Sequence, residues 1–209
     1  MSAHAGHFDS ARRQHESALL GMWVFLATEL MFFGPLFLAY AYGRLEFGAG
    51  FADASRHTHI WIGTINTVVL LTSSVFMAFA VRAAQLGARK VASVLLWVTA
   101  AMGAVFLALK GIEYWKEYQE HLVPWLDFRF DSKHLTAAKF FYFIYFAMTG
   151  LHAVHLTIGI GIALVFAIRL QKRDSPSDSS VEIGGLYWHF VDAIWVFLFP
   201  LIYLLERHG

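Results

Sequence analysis

Five ionisable side chains stand well inside long apolar stretches of this sequence, away from their ends: Glu29, His152, His155, His189 and Asp192. An ionisable group near the centre of a membrane span costs about 2.5–3.5 kcal/mol on insertion scales, so each one marks a function or a specific partner. Glu29 stands in Ala27-Thr28-Glu29-Leu30-Met31-Phe32-Phe33. A carboxyl there could be a protonatable site, a lipid-headgroup contact or a station in an ion relay. It could equally be a neutral carboxyl bonded to a neighbouring helix. His152 and His155 stand in Thr149-Gly150-Leu151-His152-Ala153-Val154-His155, and His189 and Asp192 in Trp188-His189-Phe190-Val191-Asp192. A spacing of three puts each pair on one helix face. Helix-borne histidines could ligate a metal or a haem. Carboxylate-bearing metal bundles, however, gather Glu-x-x-His motifs from several helices, and no such repeat occurs here. The reading adopted is interhelical hydrogen bonding, with no metal site assigned. His189 and Asp192 could join Glu29, or His152 and His155, in one polar cluster.

The elements that must carry these residues follow from hydropathy. A helical span needs roughly 20 mainly apolar residues to cross about 30 Å of hydrocarbon. Five stretches qualify, at about 18–42, 60–81, 91–112, 140–168 and 183–205. They are too long and too continuously apolar for barrel strands, and only helices or closed barrels satisfy their backbone in lipid. The expected fold is all-α: a polytopic membrane bundle of five transmembrane helices. Residues 1–17 form a polar N-terminal segment without the apolar run and small-residue cleavage site of a secretory signal. Residues 18–209 form one transmembrane domain. The intervening segments 43–59, 82–90, 114–139 and 169–182 read as loops, the last flexible through Ser175-Pro176-Ser177-Asp178-Ser179-Ser180.

Composition agrees. The chain has 209 residues, of which 58% are hydrophobic and 17% aromatic. Ordinary soluble domains are about 45–50% apolar. A net charge of +1 leaves no basic signature for nucleic acid. The absence of cysteine excludes disulfides, thiolate zinc sites and cysteinyl iron–sulfur clusters.

Other polar residues receive structural readings. Lys110 and Glu113, three apart near the end of the third span, can pair, and are expected to snorkel to the interface. Asn66, Thr67, Thr72, Ser73 and Ser74 on the second span can hydrogen-bond across helices. Gly150, Gly159 and Gly161, with Gly184 and Gly185, permit close helix approach. Pro35 and Pro200 are tolerated as packing kinks. Seven other histidines, His4, His7, His15, His57, His59, His121 and His134, are assigned to solvent. Basic residues cluster at span ends on the side of Arg12, Arg13, Arg82, Arg89, Lys90, Arg169, Lys172 and Arg173. The other side's basics are diluted by Glu117, Glu120, Asp127 and Asp131. The positive-inside rule then puts the N-terminus in the cytoplasm and the C-terminus outside.

Tyr187-Trp188-His189-Phe190-Val191-Asp192, followed by Trp195, resembles the terminal signature of subunit III of haem-copper respiratory oxidases. Four further segments agree in order: Thr28 to Phe33; Asn66-Thr67 with Leu70 to Ser74; Glu113-Tyr114; and Thr149 to His155 with Gly159 and Gly161. The resemblance covers nearly the whole chain, in the short five-helix bacterial form. It implies an accessory chain of an oxygen-reducing complex, with haem and copper in partner subunits and none on this chain. It implies direct packing against subunit I, a complex containing subunit II, and further association with small subunits or a larger respiratory supercomplex. It implies phospholipid binding, support of proton uptake, and residence in a bacterial inner membrane with the C-terminus periplasmic. Glu29 corresponds to the family's carbodiimide-reactive glutamate, and Trp188 falls within the terminal signature. The electron donor, cytochrome c or quinol, stays open, as does an equivalent place in a nitric oxide reductase. The rival from another class is a di-haem membrane cytochrome using His152, His155 and His189. A transporter would need paired interrupted spans, which the sequence does not show.

Overall fold

The computed structural model describes residues 3–130, 133–172 and 178–204, with side chains in the first helix described at 13 and from 16 onward, and in the last from 180. The side chains of Arg12, His4, His7 and His15, and the residues Asp131, Arg173 and Arg207, lie outside the described set.

Six α-helices follow in order: α1 Ala3–Glu46, α2 Gly48–Arg56, α3 Ile60–Gln85, α4 Arg89–Gln119, α5 Leu135–Gln171 and α6 Asp178–Phe199. A π-helical turn, Pro200–Leu204, extends α6. Among the described residues, five helical stretches are long and apolar enough to cross a membrane: Glu16–Glu46, Ile60–Gln85, Arg89–Gln119, Leu135–Gln171 and Ser180–Leu204. The fold is therefore the all-helical bundle that hydropathy predicts.

The helices overrun the apolar runs. The 37 residues of α5 make a rod about 55 Å long at 1.5 Å per residue, well beyond the hydrocarbon thickness. The segment 43–59, expected as loop, is mostly helix: α1 continues to Glu46 and α2 occupies Gly48–Arg56. Its residues Phe51 and Ala54 are fully buried, so α2 is held by packing rather than by hydropathy. Likewise α4 runs to Gln119 and α5 begins at Leu135, shortening the loop expected over 114–139.

Helices α3 and α4 form a hairpin closed by a turn in which Gly87 takes φ +72°, a left-handed conformation that glycine adopts at no steric cost. With α5 and α6 they form the core, α3 against α4 and α6, and α5 against α4 and α6. Helix α1 lies at the edge, against α5, α6 and α2. Only 11% of its apolar window is buried, against 50% for α6. Most of α1 therefore presents Leu20, Trp23, Leu30, Met31 and Phe32 outward, as a lipid- or partner-facing helix does.

The change from α to π geometry begins at Pro200, which has no N–H to give and whose ring crowds the preceding turn. Carbonyls near this helix end need outside donors. The Tyr40 hydroxyl of α1 donates to the Leu201 carbonyl. The Ser55 hydroxyl of α2 donates to the Ile202 carbonyl at 2.8 Å. The turn at the end of α6 thus ties α1 and α2 to the core.

Candidate functional site

Glu29 of α1 meets His155 of α5, with Oε2 and Nε2 2.9 Å apart. Both side chains are largely buried, at 18% and 12% exposure. The proton count at this contact follows from the other ring nitrogen. Nδ1 of His155 lies 2.9 Å from the Leu151 carbonyl, which can only accept, so Nδ1 carries a hydrogen and donates. In a neutral ring Nε2 is then an acceptor, and Glu29 must be the donor. In a charged ring Nε2 donates to a carboxylate. Either way one proton lies between Glu29 and His155. The Tyr187 hydroxyl of α6 donates to the His155 backbone carbonyl at 2.9 Å, and Phe33 packs on the imidazole at 5.5 Å between centroids. Three helices converge here.

A second polar seam joins α3 to α6. Ser73 donates to the Leu70 carbonyl at 2.7 Å and accepts the Trp188 indole N–H at 3.2 Å. Thr67 donates to the Gly63 carbonyl at 2.8 Å and accepts the Trp195 indole N–H at 3.0 Å. Each hydroxyl spends its hydrogen on its own helix and its lone pair on a tryptophan of the other. Ser74 is hydrogen-bonded to Nδ1 of His189 at 2.7 Å. Asp192 and Asn66 are buried, and their side-chain polar atoms have no hydrogen-bond partner among the described residues.

The residues expected to share a face part company. Three residues along a helix leave about 60° between side chains, enough to reach different neighbours. His155 turns to α1. His152 is buried between Phe106 and Trp195, at 5.5 and 5.1 Å between ring centroids, and neither of its nitrogens has a hydrogen-bond partner among the described residues. His189 joins Ser74 rather than Glu29 or the α5 histidines. The single cluster considered from the sequence is therefore divided between two seams. No group of three or more histidine, aspartate or glutamate side chains gathers around one point among the described residues.

Lys110 and Glu113 correct the expectation that they snorkel. They are 3% and 0% exposed and paired at 3.0 Å inside the bundle. The ammonium also donates to the hydroxyls of Tyr145 and Tyr203, both at 2.7 Å. Those hydroxyls in turn donate to Glu113 Oε1 at 3.1 and 2.6 Å. Lys110 further sits 4.5 Å from the Tyr145 ring centroid. Neighbouring Tyr114 donates to Thr149 at 2.6 Å, the Thr149 hydrogen being spent on the Tyr145 carbonyl. The sequence reading missed Tyr145 and Tyr203, named Tyr187 only as part of the terminal signature, and placed Glu117 among the loop charges. Mid-span tyrosines, which need a hydroxyl partner when buried, were the available signal.

Close helix approach is made at some of the expected glycines and not at others. A methyl group on Gly184 would lie 2.6 Å from Phe166 Cε2, on Gly185 2.7 Å from Val81 Cγ2, and on Gly159 3.2 Å from the Trp188 ring. Gly103, not singled out from sequence, is as tight, at 2.9 Å from both Ile160 and Trp188. Gly150 is looser, a methyl group there lying 3.8 Å from the Tyr114 hydroxyl of α4, and a methyl group on Gly161 would meet nothing within 4 Å among the described residues. His57, His121 and His134 are exposed, whereas His59 is half-buried with Nε2 shielded and without a hydrogen-bond partner.

Five apolar helices whose polar side chains turn inward to bond helix to helix define a multi-pass helical membrane protein. The family model described as cytochrome c oxidase subunit III matches residues 3–206. The chain belongs to this family, the subunit III chains of haem-copper oxidases of the cytochrome c and quinol types. It is 32% identical to cytochrome c oxidase subunit 3 of Thermostichus vulcanus, over 95% of this chain and 92% of that one. It is 32% identical to cytochrome c oxidase subunit 3 of Corynebacterium diphtheriae, over 99% and 100%. It is 27% identical to a probable quinol oxidase subunit 3 of Staphylococcus aureus, over 98% and 97%.

Proposed function

We propose that this chain is an accessory subunit of a proton-translocating terminal oxidase in a bacterial inner membrane, with cytochrome c as the electron donor. In this reading it carries no redox centre. It packs directly against catalytic subunit I in a complex containing subunit II, and that complex associates further with small subunits or a larger respiratory supercomplex. It supports proton uptake and lasting activity of the catalytic subunit. The printed names of the relatives at 32% identity favour the cytochrome c type. The Staphylococcus aureus relative favours the quinol type as the second reading. A partner subunit II bearing a dinuclear copper centre separates the two.

The observation that carries the accessory role is how the in-span polar groups are spent. His155 uses one ring nitrogen on its own helix and the other on Glu29. His189 uses Nδ1 on Ser74. Trp188 and Trp195 use their N–H groups on α3. These are bonds that fix helices, and the Glu29–His155 contact holds one proton inside the membrane. Glu29 is read as the donor to a neutral His155, because a neutral pair avoids desolvating two charges.

Phospholipid binding is proposed at the groove between α1 and α6. The groove has a volume of about 390 Å³ and is lined by Trp23, Leu26 and Leu30 of α1 and Phe190, Ile194 and Phe197 of α6. An apolar channel of that kind suits an acyl chain. The N-in orientation is supported by Arg82, Arg89, Lys90, Arg169 and Lys172 at one set of helix ends.

Removing the chain tests the role. Oxidase prepared without it should keep its haem and copper and its initial turnover, and lose activity sooner during continuous turnover. Loss of a haem signal with this chain, or no difference in working lifetime, would contradict the proposal.

A further inference from the structure

We propose that the cluster at the Gln119 end of α4 is a buried proton-binding site, in which Glu117 holds one exchangeable proton. Its charge count sets the requirement. An ammonium has three N–H donors. Lys110 spends them on Glu113 Oε2 at 3.0 Å, the Tyr145 hydroxyl at 2.7 Å and the Tyr203 hydroxyl at 2.7 Å. Glu113 takes the returning hydrogen bonds from both tyrosines. That unit is neutral and closed.

Glu117 is left over. It lies one helical turn from Glu113, is 2% exposed, and has no hydrogen-bond partner at either oxygen among the described residues. Around it stand Lys110 and Glu113 of α4, Glu120 just past the end of that helix, and the Tyr145 hydroxyl of α5. Tyr142 of α5 is fully buried, and its hydroxyl likewise has no hydrogen-bond partner among the described residues. Glu117, Glu120 and Glu113, and Asp53 of α2, are the acidic groups that act on it. Tyr203 approaches from the π-helical turn, and Tyr114 from the same helix. Two carboxyls therefore share one ammonium that is already spent. A second bare carboxylate in a dry interior, beside a like charge, is the arrangement proteins resolve by neutralisation. A proton from water bonds to a Glu117 carboxylate oxygen, giving a neutral acid, and returns to water on release. This site lies apart from Glu29 and His155 and does not depend on the role proposed for them.

Infrared difference spectroscopy on the purified complex containing the full chain tests it. Wild type should show, at neutral pH, the carbonyl band of a protonated carboxylic acid that shifts in heavy water and on carbon-13 glutamate labelling. Glu117→Gln, nearly isosteric, should abolish that band, while Glu29→Gln should leave it. Glu113→Gln should also abolish it, because Lys110 then balances Glu117 as a carboxylate. A wild-type complex whose only protonated-glutamate band disappears with Glu29→Gln would overturn the proposal. So would a Glu117→Gln complex that keeps every protonated-glutamate band of the wild type. The carbon-13 experiment needs no substitution, so an absent glutamate band in wild type overturns the proposal even where a variant fails to assemble.

Discussion

Nε2 of His155 lies 2.9 Å from Oε2 of Glu29, and this contact ties the most exposed helix of the bundle to its core. Helix α1 packs against few neighbours, so a polar bond at mid-span has unusual weight in holding it. Interhelical hydrogen bonds in membranes are worth roughly 0.6 kcal/mol on average and up to about 1.7 kcal/mol in double-mutant cycles. The pair joins two largely buried groups and should lie near the upper end.

Glu29→Ala and His155→Ala should each destabilise the docking of α1. The double variant should cost less than the sum of the two, with a coupling of about 1–2 kcal/mol. Equilibrium unfolding in mixed detergent measures this. Strictly additive costs would show that the contact contributes nothing.

Ser73→Ala should lower stability by roughly 1–3 kcal/mol, because the Trp188 indole N–H would be left buried and unpaired. Ser73→Ala combined with Trp188→Phe removes both partners and should recover part of that loss. Thermal unfolding followed by tryptophan fluorescence reads both; a Ser73→Ala protein as stable as wild type would remove this seam from the account.

Gly103→Ala should destabilise by about 1–3 kcal/mol, since the new methyl would lie 2.9 Å from Ile160 Cγ1 and from Trp188 Cη2. Gly161→Ala meets nothing within 4 Å and should change stability by no more than about 0.5 kcal/mol. The comparison matters because hydropathy and spacing single out Gly161 and pass over Gly103. Equal effects at the two positions would contradict the packing described.

The spans were legible because apolar length is a property of local sequence. What the sequence hid has physical causes. The last two turns of α4 carry Glu113, Lys116 and Glu117, which end the apolar run while the backbone hydrogen bonds continue. Helix α2 is short and polar on balance, and is stabilised by burying Phe51 and Ala54 against distant residues. Glu29, His152, His155, His189 and Asp192 announced themselves by type and position. Their partners did not, because Glu29 and His155 are 126 positions apart and Ser74 and His189 are 115 apart. Lys110 shows the same limit: near a helix end, solvent and core are both within reach, and Tyr145 and Tyr203 decide the direction.

Ala193→Trp should fill the groove between α1 and α6, where Ala193 lines the wall. Native mass spectrometry of the complex should then show one phospholipid fewer than wild type. An unchanged lipid count would place the lipid elsewhere.

The measurement that bears most directly on the account is purification through a tag on this chain in mild detergent, with identification of the companion chains and their pigments. The account predicts a catalytic subunit I carrying haem and copper, a subunit II, oxygen-reducing activity, and a colourless polypeptide once this chain is stripped away. A Soret band that stays with the isolated chain, or a complex without haem and copper, would contradict it.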